Sequence, residues 1–301
     1  MNNTIFPMSQ HYFTSMASTD THRIAYTHWG DPTNPKVLIC VHGLTRNSRD
    51  FDNLAAKLAS HYRVICPDMV GRGQSDWLSR PEQYTSEVYL ADMLALLKHL
   101  NLDQVDWLGT SMGGLIGMIL AAQHQPLIRR LILNDIGPFI PKEGLIPLVQ
   151  RLTQSPPQFA NLLAAEQFLR LAHSQFGPLT DSQWQHLTQH GTQFHEDGYY
   201  CLAYDPKIAH TFQSAADSDM NLWSTWQMIH CPVLLLHGEQ SILLLKETIT
   251  QMQTLHPQMK VVTFPGIGHA PALMAEEQIN LIQEWLLTVP AQITQLNSSN
   301  Y

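Results

Sequence analysis

The chain has 301 residues, 44% of them apolar and 14% charged, with a formal net charge of −8. A globular chain of this length buries about three quarters of its unfolded surface, so it needs no disulfide or metal to stay folded. The acidic balance and the absence of a dense Lys/Arg run exclude a general nucleic-acid binder, because phosphate recognition calls for a basic patch.

Residues Met1 to Gln10 carry neither the basic nor the apolar stretch of a signal peptide. No apolar run nears the roughly 18 residues of a membrane span. A cytoplasmic protein without a membrane partner is therefore expected. Val37–Val41 (VLICV) reads as a buried strand, followed by a helix from about Asp50 to Ser60. Arg63–Cys66 is a second short strand. A helix over about Thr85 to Leu100 sets Leu90, Met93, Leu94 and Leu97 on one face. Gln104–Leu108 is a strand running into Gly109, Met112–Gln123 an apolar helix, and Ile128–Asn134 a further strand.

The alternation breaks at Gly137. From there to about Met228 the chain is helical in pattern and rich in Gln, His and Pro. Ser155-Pro156-Pro157 is expected to open one helix, since proline is tolerated in a first turn. Thr180-Asp181-Ser182-Gln183 has the spacing of a capping box and opens another, which Gly191 ends. The rhythm returns with strand Val233–Leu236, helix Leu245–Leu255, strand Lys260–Phe264 and helix Glu276–Leu287. A frayed tail follows Pro290. Repeated strand-to-helix crossovers require a mostly parallel sheet with helices on both faces. The expected organisation is an α/β core, residues 1–136 and 229–301, into which residues 137–228 insert a helical cap.

Cys40, Cys66, Cys201 and Cys231 have no CxxC spacing and are expected as free thiols packed like small hydrophobes. The sixteen histidines form no HExxH or other metal-ligand pattern, so no metal is expected.

Gly109-Thr110-Ser111-Met112-Gly113 matches GxSxG at a strand-to-helix turn. In that setting the turn lifts the serine hydroxyl above the sheet, and glycines keep the crowded bend free of Cβ atoms. A hydroxyl attacks a carbonyl only when a base takes its proton. Pro265-Gly266-Ile267-Gly268-His269-Ala270-Pro271 offers that base on a glycine-framed loop beyond the last strand. Backbone N–H groups of Met112 and Leu44, the latter in His42-Gly43-Leu44, are the expected oxyanion donors. His42 is expected to support that loop by hydrogen bonding. Arg46 follows it and could meet a substrate carboxylate or carbonyl, or pair with a structural carboxylate. Asp68, Gly71, Gly73 and Ser75 are expected to shape a loop beside the site. Leu162, Leu163, Phe168 and Leu169 in the cap are candidates for an acyl pocket.

With these motifs the chain resembles the α/β-hydrolase superfamily along nearly its whole length. Pro67-Asp68-Met69-Val70-Gly71-Arg72-Gly73-Gln74-Ser75-Asp76, Leu133-Asn134-Asp135-Ile136-Gly137-Pro138 and Leu236-His237-Gly238 add to the likeness. It is most similar to the bacterial branch of capped esterase-, lactonase- and carbon–carbon-bond-hydrolase-like enzymes. The resemblance implies an eight-stranded sheet, a Ser–His–acid triad and no cofactor.

The acid departs from that pattern, because Ile242 stands where such enzymes usually carry aspartate. Glu239 is the nearest carboxylate in that loop. Asp135 is the other candidate: its strand neighbours the one that ends at Ser111, and parallel neighbours about 4.8 Å apart finish on the same edge. A third possibility is no effective acid. The function expected is a serine hydrolase acting on a small or medium carboxylic ester through an acyl-enzyme. Two alternatives are a carbon–carbon bond hydrolase of a dienoic diketone and a homologue that binds a small ligand without turnover. The motifs leave acyl length and oligomeric state open.

Overall fold

The computed structural model describes residues 7–290; the expected tail after Pro290 lies outside them. Eight strands form one sheet: β1 Ser9–Ser15, β2 His22–Trp29, β3 Val37–Val41, β4 Arg63–Pro67, β5 Val105–Thr110, β6 Ile128–Asn134, β7 Val233–Gly238 and β8 Lys260–Phe264. Their spatial order is β1-β2-β4-β3-β5-β6-β7-β8. The pairs from β4 to β8 are parallel, while β2 pairs antiparallel with both β4 and β1. These two N-terminal strands extend the sheet beyond what the sequence pattern indicates. The central strands β3 and β7 are buried along their length, as strands covered on both faces must be.

Helices α1 Asp52–Leu58, α2 Ser86–His99 and α3 Met112–Gln123 fall where the apolar periodicity places them. Leu54, Leu58, Ile282 and Trp285 share one core cluster on one face of the sheet. Met93, Leu96, Met118 and Leu120 belong to the cluster on the other.

The chain between β6 and β7 carries helices α4 Lys142–Leu152, α5 Leu162–Ala172 and α6 Asp181–Gly191. After β7 come α7 Lys246–Leu255 and α8 Glu276–Thr288. The Thr180–Gln183 capping box forms as its spacing implies. Ser155-Pro156-Pro157 does not open a helix. Extended residues Gln158–Phe159 intervene, and Asn161 caps α5 by accepting the Ala164 N–H at 2.9 Å. An Asn side chain satisfies an orphan N–H, which a proline pair cannot do. The segment is also less purely helical than its composition suggests. It holds a three-stranded sheet (Gln158–Phe159, Tyr200–Leu202, Thr192–Phe194) and a two-stranded ribbon (Phe139–Ile140, Met220–Asn221).

Hydrogen bonds along its length fasten this segment to the sheet domain, among them Gly73 N–H to Ala203 O at 2.9 Å and Tyr84 OH to Asp205 Oδ2 at 2.6 Å. Asn47 Nδ2 donates to His190 O at 2.7 Å, and Gln183 Nε2 donates to Met274 O at 3.0 Å. His186 Nε2 meets Arg49 O at 2.9 Å, and Gly268 N–H donates to Gln175 O at 2.9 Å. All four cysteines are free, with Cys201 half-buried and the other three buried. Among the described residues no helix is long and apolar enough to cross a membrane.

Candidate active site

Strand register sets the site. Thr110 pairs with Asn134 across β5 and β6, and Asn134 pairs with Leu236 across β6 and β7. The next residues on the first two strands, Ser111 and Asp135, therefore emerge side by side on one edge. Both adopt the left-handed region, at φ 51° and 54°. Such a conformation costs about 1–3 kcal/mol in a non-glycine residue and persists only where the surroundings impose it.

At Ser111 that imposition is visible. A Cβ on Gly109 would strike the Gly113 backbone, and one on Gly113 would strike the Val41 carbonyl. The indole N–H of Trp107 donates to Gly113 O at 2.9 Å, and Ser111 N–H donates to Asn134 O at 3.1 Å. The bend is clamped from strand and helix alike. Its serine points to the loop after β8, where His269 Nε2 lies 2.9 Å from Ser111 Oγ.

His269 Nδ1 lies 2.7 Å from Asp135 Oδ2, and Asp135 Oδ1 accepts the Gly238 N–H at 2.8 Å. Asp135 has no exposed surface. The Asn134 side chain braces the same junction, donating to Pro271 O at 2.9 Å and to Thr110 Oγ1 at 3.0 Å. Of the two carboxylates considered, Asp135 meets the histidine. Glu239 does not: it is exposed and its Oε2 accepts the Gly266 N–H at 3.2 Å. It stands at the end of β7, too near the strand to turn back on the imidazole.

The Leu44 and Met112 N–H groups donate to no other protein acceptor among the described residues. His42 is buried with its pKa pushed down to about 3, chiefly by desolvation, and so stays neutral. Its Nδ1 lies 2.6 Å from Gly43 O, and its Nε2 accepts the Met69 N–H at 2.9 Å, which holds the loop as the sequence implies. Arg72, unmarked by sequence reasoning, is fully buried beneath that loop. It donates to Leu44 O at 2.8 Å, Val70 O at 2.7 Å and Tyr89 OH at 2.9 Å, and lies 4.8 Å from the Tyr89 ring centroid. Asp68 accepts the N–H groups of Ser48 and Gln74 at 2.7 and 2.8 Å, shaping the adjoining turn through Gly71 and Gly73.

Two cavities of about 370 Å³ each reach Ser111. The first is walled by His269, Thr45, Arg46, Arg151, His173 and Ile242. The second is apolar, with Met112, Leu115, Ile140, Leu145 and Phe212 on its wall. Arg46 is on the first wall but is also committed to Asp50, at 2.5 and 2.9 Å. Leu162 and Leu163 line neither cavity and are exposed. Phe168 and Leu169 face a smaller space of about 110 Å³ beyond Arg46. The segment between β6 and β7 therefore approaches Ser111 through α4 and the end of α5, not through the start of α5. Burial, with Arg46 and Arg151 nearby, keeps His173 neutral.

A potential metal cluster, Asp52, His186 and His190, has ligand atoms within 4.8 Å of one another. Arg49 already fills the cation's place, donating to Asp52 at 2.7 Å and lying 3.4 Å from His190 Nδ1.

The sequence profile of the alpha/beta hydrolase fold matches residues 36–274. The chain belongs to the alpha/beta hydrolase family. The chain is 39% identical over 275 residues to a 3-hydroxybutyrate-oligomer hydrolase of Cupriavidus necator, covering 88% of this chain and 92% of that one. It is 26% identical over 234 residues to a 2-(acetamidomethylene)succinate hydrolase of Mesorhizobium japonicum, covering 77% and 81%. The crystal structure of an alpha/beta hydrolase from Novosphingobium aromaticivorans superposes with a TM-score of 0.83 at 34% identity, covering 94% of this chain and 99% of that one. All three of these relatives carry the name of hydrolase.

Proposed function

We propose that the chain is a serine carboxylesterase, with residues 1–136 and 229–301 as its catalytic core and 137–228 as the cap over Ser111. The observation that carries this reading is the hydrogen-bonded line Ser111–His269–Asp135, at 2.9 and 2.7 Å. Ser111 Oγ attacks the ester carbonyl while His269 Nε2 takes its proton. The Leu44 and Met112 N–H groups receive the developing oxyanion, each worth about 2.7–4 kcal/mol in the transition state. His269 returns the proton to the departing alcohol. A water then gives its proton to His269, adds to the acyl-enzyme and releases the acid. Asp135 holds the imidazole in the tautomer that can accept a proton at Nε2.

The similarity to an enzyme of 3-hydroxybutyrate oligomers supports a short hydroxy-acid oligoester as the substrate class. The rival reading of a ligand-binding homologue draws on Ile242 at the usual acid position; the buried carboxylate 2.7 Å from His269 supports the esterase reading instead. The test is labelling by a fluorophosphonate together with p-nitrophenyl butyrate turnover. Wild type is expected to react with both, and Ser111→Ala to lose the label and about 10⁴-fold or more of kcat. Undiminished turnover in Ser111→Ala would sink the assignment.

A further inference from the structure

The two cavities that meet at Ser111 differ in charge and in their relation to the histidine. The chamber that contains His269 also carries Arg46 and Arg151, and among the described residues no carboxylate lines it. The other chamber is apolar, does not include His269, and has one charged residue on its wall, the anion Glu87. An ester spanning Ser111 places its leaving oxygen where the imidazole can protonate it, so the alcohol half lies in the first chamber. The acyl half lies in the second.

The arginines in the first chamber are not equivalent. Arg46 is buried and bidentate on Asp50. Arg151, from α4, is exposed as a residue and lines both this chamber and the smaller space beyond Arg46, and burial of its guanidinium lowers its pKa from the usual arginine value. Its guanidinium makes a single hydrogen bond among the described residues, from Nη1 to Ala172 O at 3.2 Å, and no salt bridge. Four of its five N–H donors remain for a ligand, in the planar fork that suits a carboxylate.

We propose that Arg151 is a specificity-determining residue that binds a carboxylate on the alcohol half of the substrate. The proposal rests on the serine-esterase reading and extends it by fixing the direction of cleavage. In an oligoester of a hydroxy acid, the half beyond the scissile oxygen ends in the free carboxylate. Ser111 Oγ bonds to the carbonyl carbon, the C–O bond to that half breaks, and the proton passes through His269 to the leaving oxygen. A hydroxy acid departs bound at Arg151, while the hydroxyl-ended acyl group stays on Ser111 in the apolar chamber until water releases it. The carboxylate end is thus the end that is shortened.

The test compares kcat/KM for 3-(butyryloxy)butanoate, its methyl ester, and monobutyl succinate, which carries the carboxylate on the acyl half. Wild type is expected to favour the first over both others by about ten- to a hundredfold, the range of a charge-assisted hydrogen bond. Arg151→Gln should reduce the acid-to-methyl-ester ratio to near one, and Arg151→Lys should retain part of it. Because the ratio is taken within one protein, a general loss of fold cancels. Equal use of acid and methyl ester by wild type, or an unchanged ratio in Arg151→Gln, overturns the proposal while leaving the esterase reading intact. Turnover of none of the three esters overturns both.

Discussion

A carboxylate with no exposed surface is strongly destabilising unless its lone pairs are filled. Asp135 has both oxygens engaged, one by Gly238 N–H and the other by His269. With Asp135 as the proposed acid, position 242 is free of that duty. Ile242 is instead a half-exposed apolar residue on the cavity wall, where an aspartate would add an anion to the chamber that Arg46 and Arg151 line. Arg72 is the other residue whose role the motifs hide. A buried guanidinium donating to Leu44 O fixes the peptide next to the proposed oxyanion donor. Arg72→Gln should act as the loss of a positioning residue, lowering kcat by about 10- to 100-fold with little change in KM. That is somewhat less than removal of a donor itself. Steady-state kinetics on p-nitrophenyl butyrate separate the two constants, and a rise in KM at constant kcat would contradict the role.

The strand–turn–helix element is held by absence as much as by contact. Gly113→Ala would drive a methyl group into the Val41 carbonyl, backbone that cannot swing aside. Overpacking of this kind costs about 1–3 kcal/mol or more. Trp107→Phe removes the donor to a buried carbonyl and should cost about 1–3 kcal/mol. Urea unfolding of the two variants checks both values, and wild-type midpoints would refute the clamp. This element was readable in the sequence because its motif, Trp107 to Gly113, lies within seven residues, although Val41 and Asn134 that also clamp it come from neighbouring strands. The His269 loop was readable for the same reason. Asp135 could be argued only through sheet adjacency, and Glu239 stayed open until strand register was known. Arg151 and His173 escaped notice because α4 and α5 bring them to Ser111 only through tertiary packing. The N-terminal strands β1 and β2 escaped because Ser9–Ser15 has little apolar alternation, and its pairing with His22–Trp29 comes from the sheet.

For the whole molecule, buried histidines set the response to acid. Desolvation holds His42 down to about 3, and His28 and His190 to about 4, with Arg63 adding at His28 and Arg49 at His190. In the unfolded chain each has a pKa near 6.5. As pH falls from 6.5 towards about 5 the unfolded state takes up protons that the native state refuses. Stability then drops by about 1.4 kcal/mol per pH unit for each proton. His22 acts in the opposite sense. Burial alone would lower its pKa, but Asp92 at 2.8 Å raises it above the ordinary value. Its contribution is complete below pH 6.5 and is lost as pH rises through the folded pKa. Burial lowers His173 and His256 as well, so with five groups against one the Tm should fall on acidification across that window; calorimetry that found it flat or rising would contradict this. The coupling of Ser111 to a relocated acid is tested most directly by kcat for Asp135→Asn beside Glu239→Gln, on p-nitrophenyl butyrate at neutral pH. The expected result is a loss of about 10⁴-fold in the first variant, with the second close to wild type. Equal kcat in both variants, or a collapse only in Glu239→Gln, would contradict it.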